Sequence, residues 1–146
     1  MQMRLTAALA RDLSAHSALS YQDYAVLVAL TDQQDGQTRL FQLGNELGWE
    51  KSRLSHQVSR MVARGLVAKK KCGSDRRGAD VVVTTKGRQA IMAAAPSHLE
   101  AVRRLFVDQL TRPQLESIAD ISGIVLSAVT DEERRTCTVE CDETSA

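Results

Sequence analysis

The sequence predicts a mainly α protein with one small β-hairpin, and three observations support that reading. Of its 146 residues, 43% are hydrophobic but only 3% are aromatic, so the core must be built of Leu, Val, Ile and Ala, which suits packed helices. Apolar residues recur at helical spacing through most of the chain. The pattern changes most clearly in two short runs, Leu66–Cys72 and Asp80–Thr84. The second of these holds Val81, Val82 and Val83, whose β-branched side chains favour a strand.

The elements follow in order. Leu5, Leu9 and Leu13 share one side of a helix expected over Met3–Ser14, with Ala7, Ala8 and Ala10 as strong helix formers. His16–Leu19 is the expected break. Ser20 and Asp23 have capping-box spacing, with Asp in place of Glu, and open a second helix through Tyr24, Leu27, Val28 and Leu30. Asp35-Gly36 is a turn signal, and Gln37–Leu40 a short extended piece. Phe41–Leu47 is a brief helix with Phe41, Leu43 and Leu47 expected inward, closed by Gly48 in a left-handed conformation.

The helix within Trp49–Gly65 has two unlike faces. Leu54, Val58, Met61 and Val62 recur on one, while Lys51, Ser52, Arg53, Ser55, His56, Gln57, Ser59 and Arg60 occupy the other. Arg and Gln offer paired hydrogen-bonding groups that match base edges, and Ser and Lys suit phosphates. Short helix, glycine turn and basic helix make a helix-turn-helix pattern with the second helix as reader. The two strand-like runs then flank Gly73–Ala79 as a hairpin, or wing. Arg76 and Arg77 at its tip suit the minor groove, and Asp75 can hold a neighbouring guanidinium in place.

Thr85 is the expected cap of a helical segment over Lys86–Leu110. Its apolar face holds Ile91, Ala94, Leu99, Val102, Leu105, Phe106 and Leu110, and Pro96 should kink or split it. Thr111 and Gln114 form a second capping pair, with Pro113 in the first turn. The last helix, with Leu115, Ile118, Ser122, Val125 and Val129 along one side, is expected to end near Thr130. Residues 131–146 read as an acidic, disordered tail.

The organisation expected is a single domain over 1–146. Residues of about 20–88 form its winged helix-turn-helix core, and about 1–19 and 89–130 form dimerisation helices, because their apolar faces exceed what a small winged unit covers. The charge is distributed to match. Glu50–Arg88 holds eleven Lys and Arg against three acids, or +8, which leaves −7 for the rest of a chain whose total is +1. A basic middle in an acidic protein is the footprint of a polyanion partner. No apolar run has the length of a membrane span and no secretory signal opens the chain, so a cytoplasmic location is expected. Enzymatic function is not expected: no phosphate-cradling glycine loop is present, and Ser55 and His56, adjacent on a helix, point about 100° apart.

The wing Asp75-Arg76-Arg77-Gly78, followed by Val81-Val82-Val83-Thr84 and Gly87, together with Ser52–Val67 running into it, resembles the MarR (multiple antibiotic resistance regulator) family of bacterial transcription factors. The resemblance extends over about Met3–Thr130. It implies a homodimeric repressor, less often an activator, on a pseudo-palindromic operator in double-stranded DNA. Carried over by position, Ser52, Arg53, Ser55, His56 and Arg60 touch bases or phosphates, Arg77 enters the minor groove and Asp75 steadies it. Arg76 shares the wing role, and Lys69, Lys70 and Lys71 are better read as backbone contacts.

Many members of that family release DNA when a small aromatic or phenolic anion binds between the dimer helices and the winged unit. Arg11, His16, Tyr21 and Tyr24 are the residues here that suit such an effector. An alternative is thiol-based redox sensing through Cys72, whose neighbours Lys71 and Arg76 favour a thiolate. Against it, thiol-sensing relatives commonly use a cysteine near the N-terminus, which this chain lacks. Cys137 and Cys141 could pair, though cytosolic thiols are normally reduced. No cofactor is expected, and the three histidines and Cys-x3-Cys have no structural-metal spacing. A third reading is a winged-helix module that binds an acidic protein.

Overall fold

The computed structural model describes the backbone of residues 1–71 and 79–143, and the side chains of 1–70 and 79–132. In chain order the elements are α1 (Gln2–His16), α2 (Tyr21–Thr31), β1 (Gln37–Arg39), α3 (Leu40–Leu47), α4 (Lys51–Ala63), β2 (Val67–Lys71), β3 (Ala79–Val83), α5 (Thr85–Leu105), a 3-10 turn (Val107–Gln109) and α6 (Arg112–Glu143). This is the winged helix-turn-helix order expected from the sequence. The chain divides into two compact units, Met1–Val102 and Arg103–Ala146.

In the first unit, α1 and most of α5 pack into one core with the winged elements. The reason lies in their buried residues: Leu9 and Leu13 of α1, and Gly87, Ile91, Ala94 and Ala101 of α5. Leu13, Ile91 and Ala94 join one core with Leu27 and Leu30 of α2, Leu43 of α3, Leu54, Val58 and Met61 of α4, and Val67, Val81 and Val83 of the sheet. The sheet is antiparallel in the order β1-β3-β2, pairing Gln37 with Val82 and Val67 with Val83.

Several local expectations shift. α2 opens on the expected box: the Ser20 N–H donates to Asp23 Oδ2 at 2.9 Å, and the Asp23 N–H donates to Ser20 Oγ at 3.1 Å. α3 starts one residue early, at Leu40. Leu40, Leu43 and Leu47 then take the inward positions at spacings of three and four, and Phe41 is 61% exposed. Val62 of α4 is exposed as well, because Leu54, Val58 and Met61 already complete the stripe. Thr84, not Thr85, caps α5: its Oγ1 accepts from the Gly87 N–H at 3.0 Å and donates to the carbonyls of Gly65 and Leu66. A side chain at Gly87 would overlap the Leu66 carbonyl, so glycine here lets α5 start against the hairpin.

α5 passes through Pro96 without dividing and ends at Leu105. Leu99 and Leu105 are exposed, since the buried face runs through Ile91, Ala94 and Ala101.

The second unit is dominated by α6. Thr111 caps it, its N–H donating to Gln114 Oε1 at 2.9 Å. The helix continues past the expected end at Thr130 to Glu143, so residues 131–143 are helical where a disordered tail was expected. No Pro or Gly follows Gly123 to stop it. Ile121, Ile124, Val125, Leu126 and Val129 are all exposed.

Candidate nucleic-acid interface

Gly48, with φ of 62°, turns the chain between α3 and α4, and the Trp49 N–H returns to the Gly44 carbonyl at 2.9 Å. That sharp corner sets Leu54, Val58 and Met61 into the core and turns the polar side of α4 outward. Lys51, Ser52, Arg53, His56, Ser59 and Arg60 are exposed, and Ser55 is half-buried. The Arg53 guanidinium lies 4.7 Å from the centre of the half-buried Trp49 ring, which limits its wandering. Arg53, His56 and Arg60 border an open concavity of about 320 Å³ with Ser20, Gln22, Trp49 and Gln57. Its walls are rich in donors, as an anionic partner requires.

The hairpin adds to this side of the unit. Lys69 Nζ donates to Ser59 Oγ at 3.1 Å, bringing a β2 lysine onto α4. Lys70 is exposed and stands opposite Asp80 across the ladder, and Lys71 pairs with Ala79 as the last described residue of β2. Cys72, Asp75, Arg76 and Arg77 lie outside the described residues, in the segment that joins β2 to β3.

Gln57, expected among the outward donors, is turned inward. It is only 8% exposed, and its Nε2 donates to Asp23 Oδ1 at 2.7 Å. Sequence reasoning missed the group that holds it. Asp23 is 1% exposed and also accepts from Arg64 Nη1 at 2.6 Å, while Arg64 Nη2 donates to the Ala18 carbonyl. Burial alone would push the Asp23 carboxyl up. The Ser20 backbone N–H, the Arg64 guanidinium and the Ser20 side chain outweigh it and hold the carboxyl below its ordinary value. The capping spacing marked Asp23 in the sequence, but nothing local reveals partners 34 and 41 residues away.

Of the expected effector residues, Tyr21 and Tyr24 come together, joined by a residue that sequence reasoning did not single out. The His98 ring of α5 lies 4.5 Å from Tyr24 and 6.4 Å from Tyr21 between centroids. Its Nδ1 is buried, with no hydrogen-bond partner among the described residues. Burial lowers the His98 pKa, against a smaller opposing pull from Asp12, and burial raises that of Tyr24. Arg11 is exposed, and His16 is turned back along α1, its Nδ1 2.8 Å from the Asp12 carbonyl oxygen. Among the described residues, no group of three His, Cys, Asp or Glu is placed to hold a metal ion, and no helix is long and apolar enough to cross a membrane.

No protein-family model and no curated protein sequence matches the chain. Solved structures do. AbsC, a MarR family transcriptional regulator from Streptomyces coelicolor, is 33% identical with a TM-score of 0.83, over 89% of this chain and 87% of that one. Sco3205, a MarR family transcriptional regulator from the same organism solved in complex with DNA, is 31% identical with a TM-score of 0.83, over 87% of this chain and 80% of that one. PcaV, also from Streptomyces coelicolor and solved with its natural ligand, is 22% identical with a TM-score of 0.74, over 88% of this chain and 90% of that one, a likeness of fold.

Proposed function

The chain belongs to the MarR family of transcriptional regulators, and from that premise we propose that it is a homodimeric, sequence-specific binder of duplex DNA, acting in the cytoplasm as a repressor. The observation that carries this is the outer face of α4. Ser52, Arg53, His56 and Arg60 stand exposed on a helix whose opposite side is locked in the core, with Lys69 and Lys70 beside them. A helix so presented offers forked donors to base edges and point charges to phosphates. Ser55 sits at the margin of this face, and Lys71 supplies a further backbone contact. The +8 segment around the helix supports the same reading. So does the DNA complex of the 31% identical Sco3205. In this reading Arg76 and Arg77 reach into the minor groove and Asp75 steadies them.

The bare apolar side of α6 supports the dimer, because exposed stripes of that size are covered by a partner. Two-fold pairing sets two readers about one helical turn apart. Repression ends when a small aromatic or phenolic anion binds near Tyr21 and Tyr24, where the unpartnered His98 Nδ1 offers a polar contact.

The test is selection of duplexes from a random library, followed by titration of the selected site. A palindromic selected site bound far more tightly by wild type than by Arg77→Ala, with the variant still dimeric, is the expected result. No selection over scrambled duplex at low salt would refute the proposal.

A further inference from the structure

We propose that Asp23 is a positioning residue for DNA reading: its buried carboxylate fixes the rotation of α4, and so decides where the outward donors of that helix point. The inference rests on the DNA-reading proposal above. The apolar stripe of Leu54, Val58 and Met61 sets how deeply α4 sits and which side faces out, but burial of apolar surface is non-directional, so the fine rotation of the helix is left to directional contacts. Hydrogen bonds are directional. Asp23 supplies two to this helix, one to Gln57 in its middle at 2.7 Å and one to Arg64 at its C-cap at 2.6 Å. The same carboxylate takes the Ser20 N–H at the start of α2, so the two helices share one anchor.

The lever arm makes this matter. A rotation of about 20° moves the outer surface of a helix, roughly 5–6 Å from its axis, by about 2 Å. That displacement breaks a base-edge hydrogen bond, whose usable range spans only a few tenths of an ångström. Phosphate attraction by lysine is long-ranged and tolerates the same shift. The anchor therefore governs specificity more than affinity for DNA in general. Its composition fits that role. The pair is buried only at the carboxylate, the Arg64 side chain being 39% exposed, and such a pair contributes little net stability, whereas Asp23, Gln57 and Arg64 together define one geometry. Ser20 and Gln57 also border the concavity shared with Arg53, His56 and Arg60, so the anchor and the donor face share a wall.

Asp23→Asn is the direct test, because Asp23 is 1% exposed and cannot itself touch DNA. The measurements are affinities of the full-length protein for its library-selected duplex and for a scrambled duplex, across a salt series, with base preference scored along the half-site. The expected result is about a tenfold loss on the selected duplex, flattened preference at several base pairs, and unchanged scrambled-duplex affinity and salt slope. An unchanged ratio of the two affinities, or equal loss on both duplexes, overturns the inference. If Asp23→Asn does not fold, Gln57→Leu decides. Loss of preference at several base pairs supports positioning, and loss at one or none overturns it. Wild-type protein that binds no duplex overturns both this inference and the DNA-reading proposal, whereas retained specificity in the variants overturns this one alone.

Discussion

α1 and α6 carry the same kind of message in the sequence and meet opposite fates. Each is amphipathic and terminal, and each invites the reading of a helix awaiting a partner. α1 is satisfied at home, with Leu9 and Leu13 buried in its own unit. α6 leaves Ile121, Ile124, Val125, Leu126 and Val129 in solvent. Periodicity thus says that a face is to be covered, but not by what. The distinction depends on three-dimensional packing.

The largest effect should come from attacking the uncovered side. Ile121→Asp combined with Val125→Asp should weaken dimerisation by about 4 kcal/mol, roughly a thousandfold, seen as monomer in sedimentation equilibrium. A variant that remains dimeric at low concentration removes α6 from the interface. Leu13→Ala should act in the other way. It should lower folding stability by about 3 kcal/mol in denaturant titrations without changing the association constant. A concentration-dependent loss instead would make α1 part of the interface too.

A smaller effect separates the titrating groups of the first unit. His98 is held below its ordinary value of 6.5, so the unfolded chain binds its proton first and stability falls as pH drops from about 7 through that lowered value. Asp23 is also lowered, so its contribution is complete above the ordinary carboxylate value of 3.8 and is lost as pH falls through its folded pKa. His98→Gln should therefore flatten the upper limb of a stability–pH curve and leave the acid limb intact; an unaltered upper limb would show that His98 does not control it. Smallest of all, Lys70→Ala should weaken every duplex alike and reduce the salt slope by about one. A slope equal to wild type would take Lys70 off the DNA face.

What was legible in the sequence was local. The Ser20–Asp23 box spans three residues, and the Gly48 turn and the β-branched run at Val81–Val83 each signal through their own backbone preference. The errors at Phe41 and Thr85 are one-residue slips of register, where neighbouring residues of similar type compete and tertiary contact decides. The inward turn of Gln57 is different in kind. On a helical wheel it stands beside Arg53 and Arg60 as one more donor, and only a carboxylate 34 residues earlier pulls it out of that set. Such a partner leaves no periodic trace. His98 escaped notice for a related reason, since it comes together with Tyr21 and Tyr24 only when α5 returns to α2.

The same anchor has a meaning in time. The bond from Arg64 to Asp23 closes a loop of 41 residues and that from Gln57 one of 34. Closing such loops costs chain entropy that a single helix does not incur. α4 can coil on its own within microseconds, yet it becomes oriented only once α2, the glycine corner and the core between them have assembled. A nascent or partly unfolded chain would therefore carry the charge that draws it to a polyanion before it can tell one sequence from another. If α4 reads DNA as proposed, discrimination is the last property this chain acquires as it folds and the first it surrenders when it loosens.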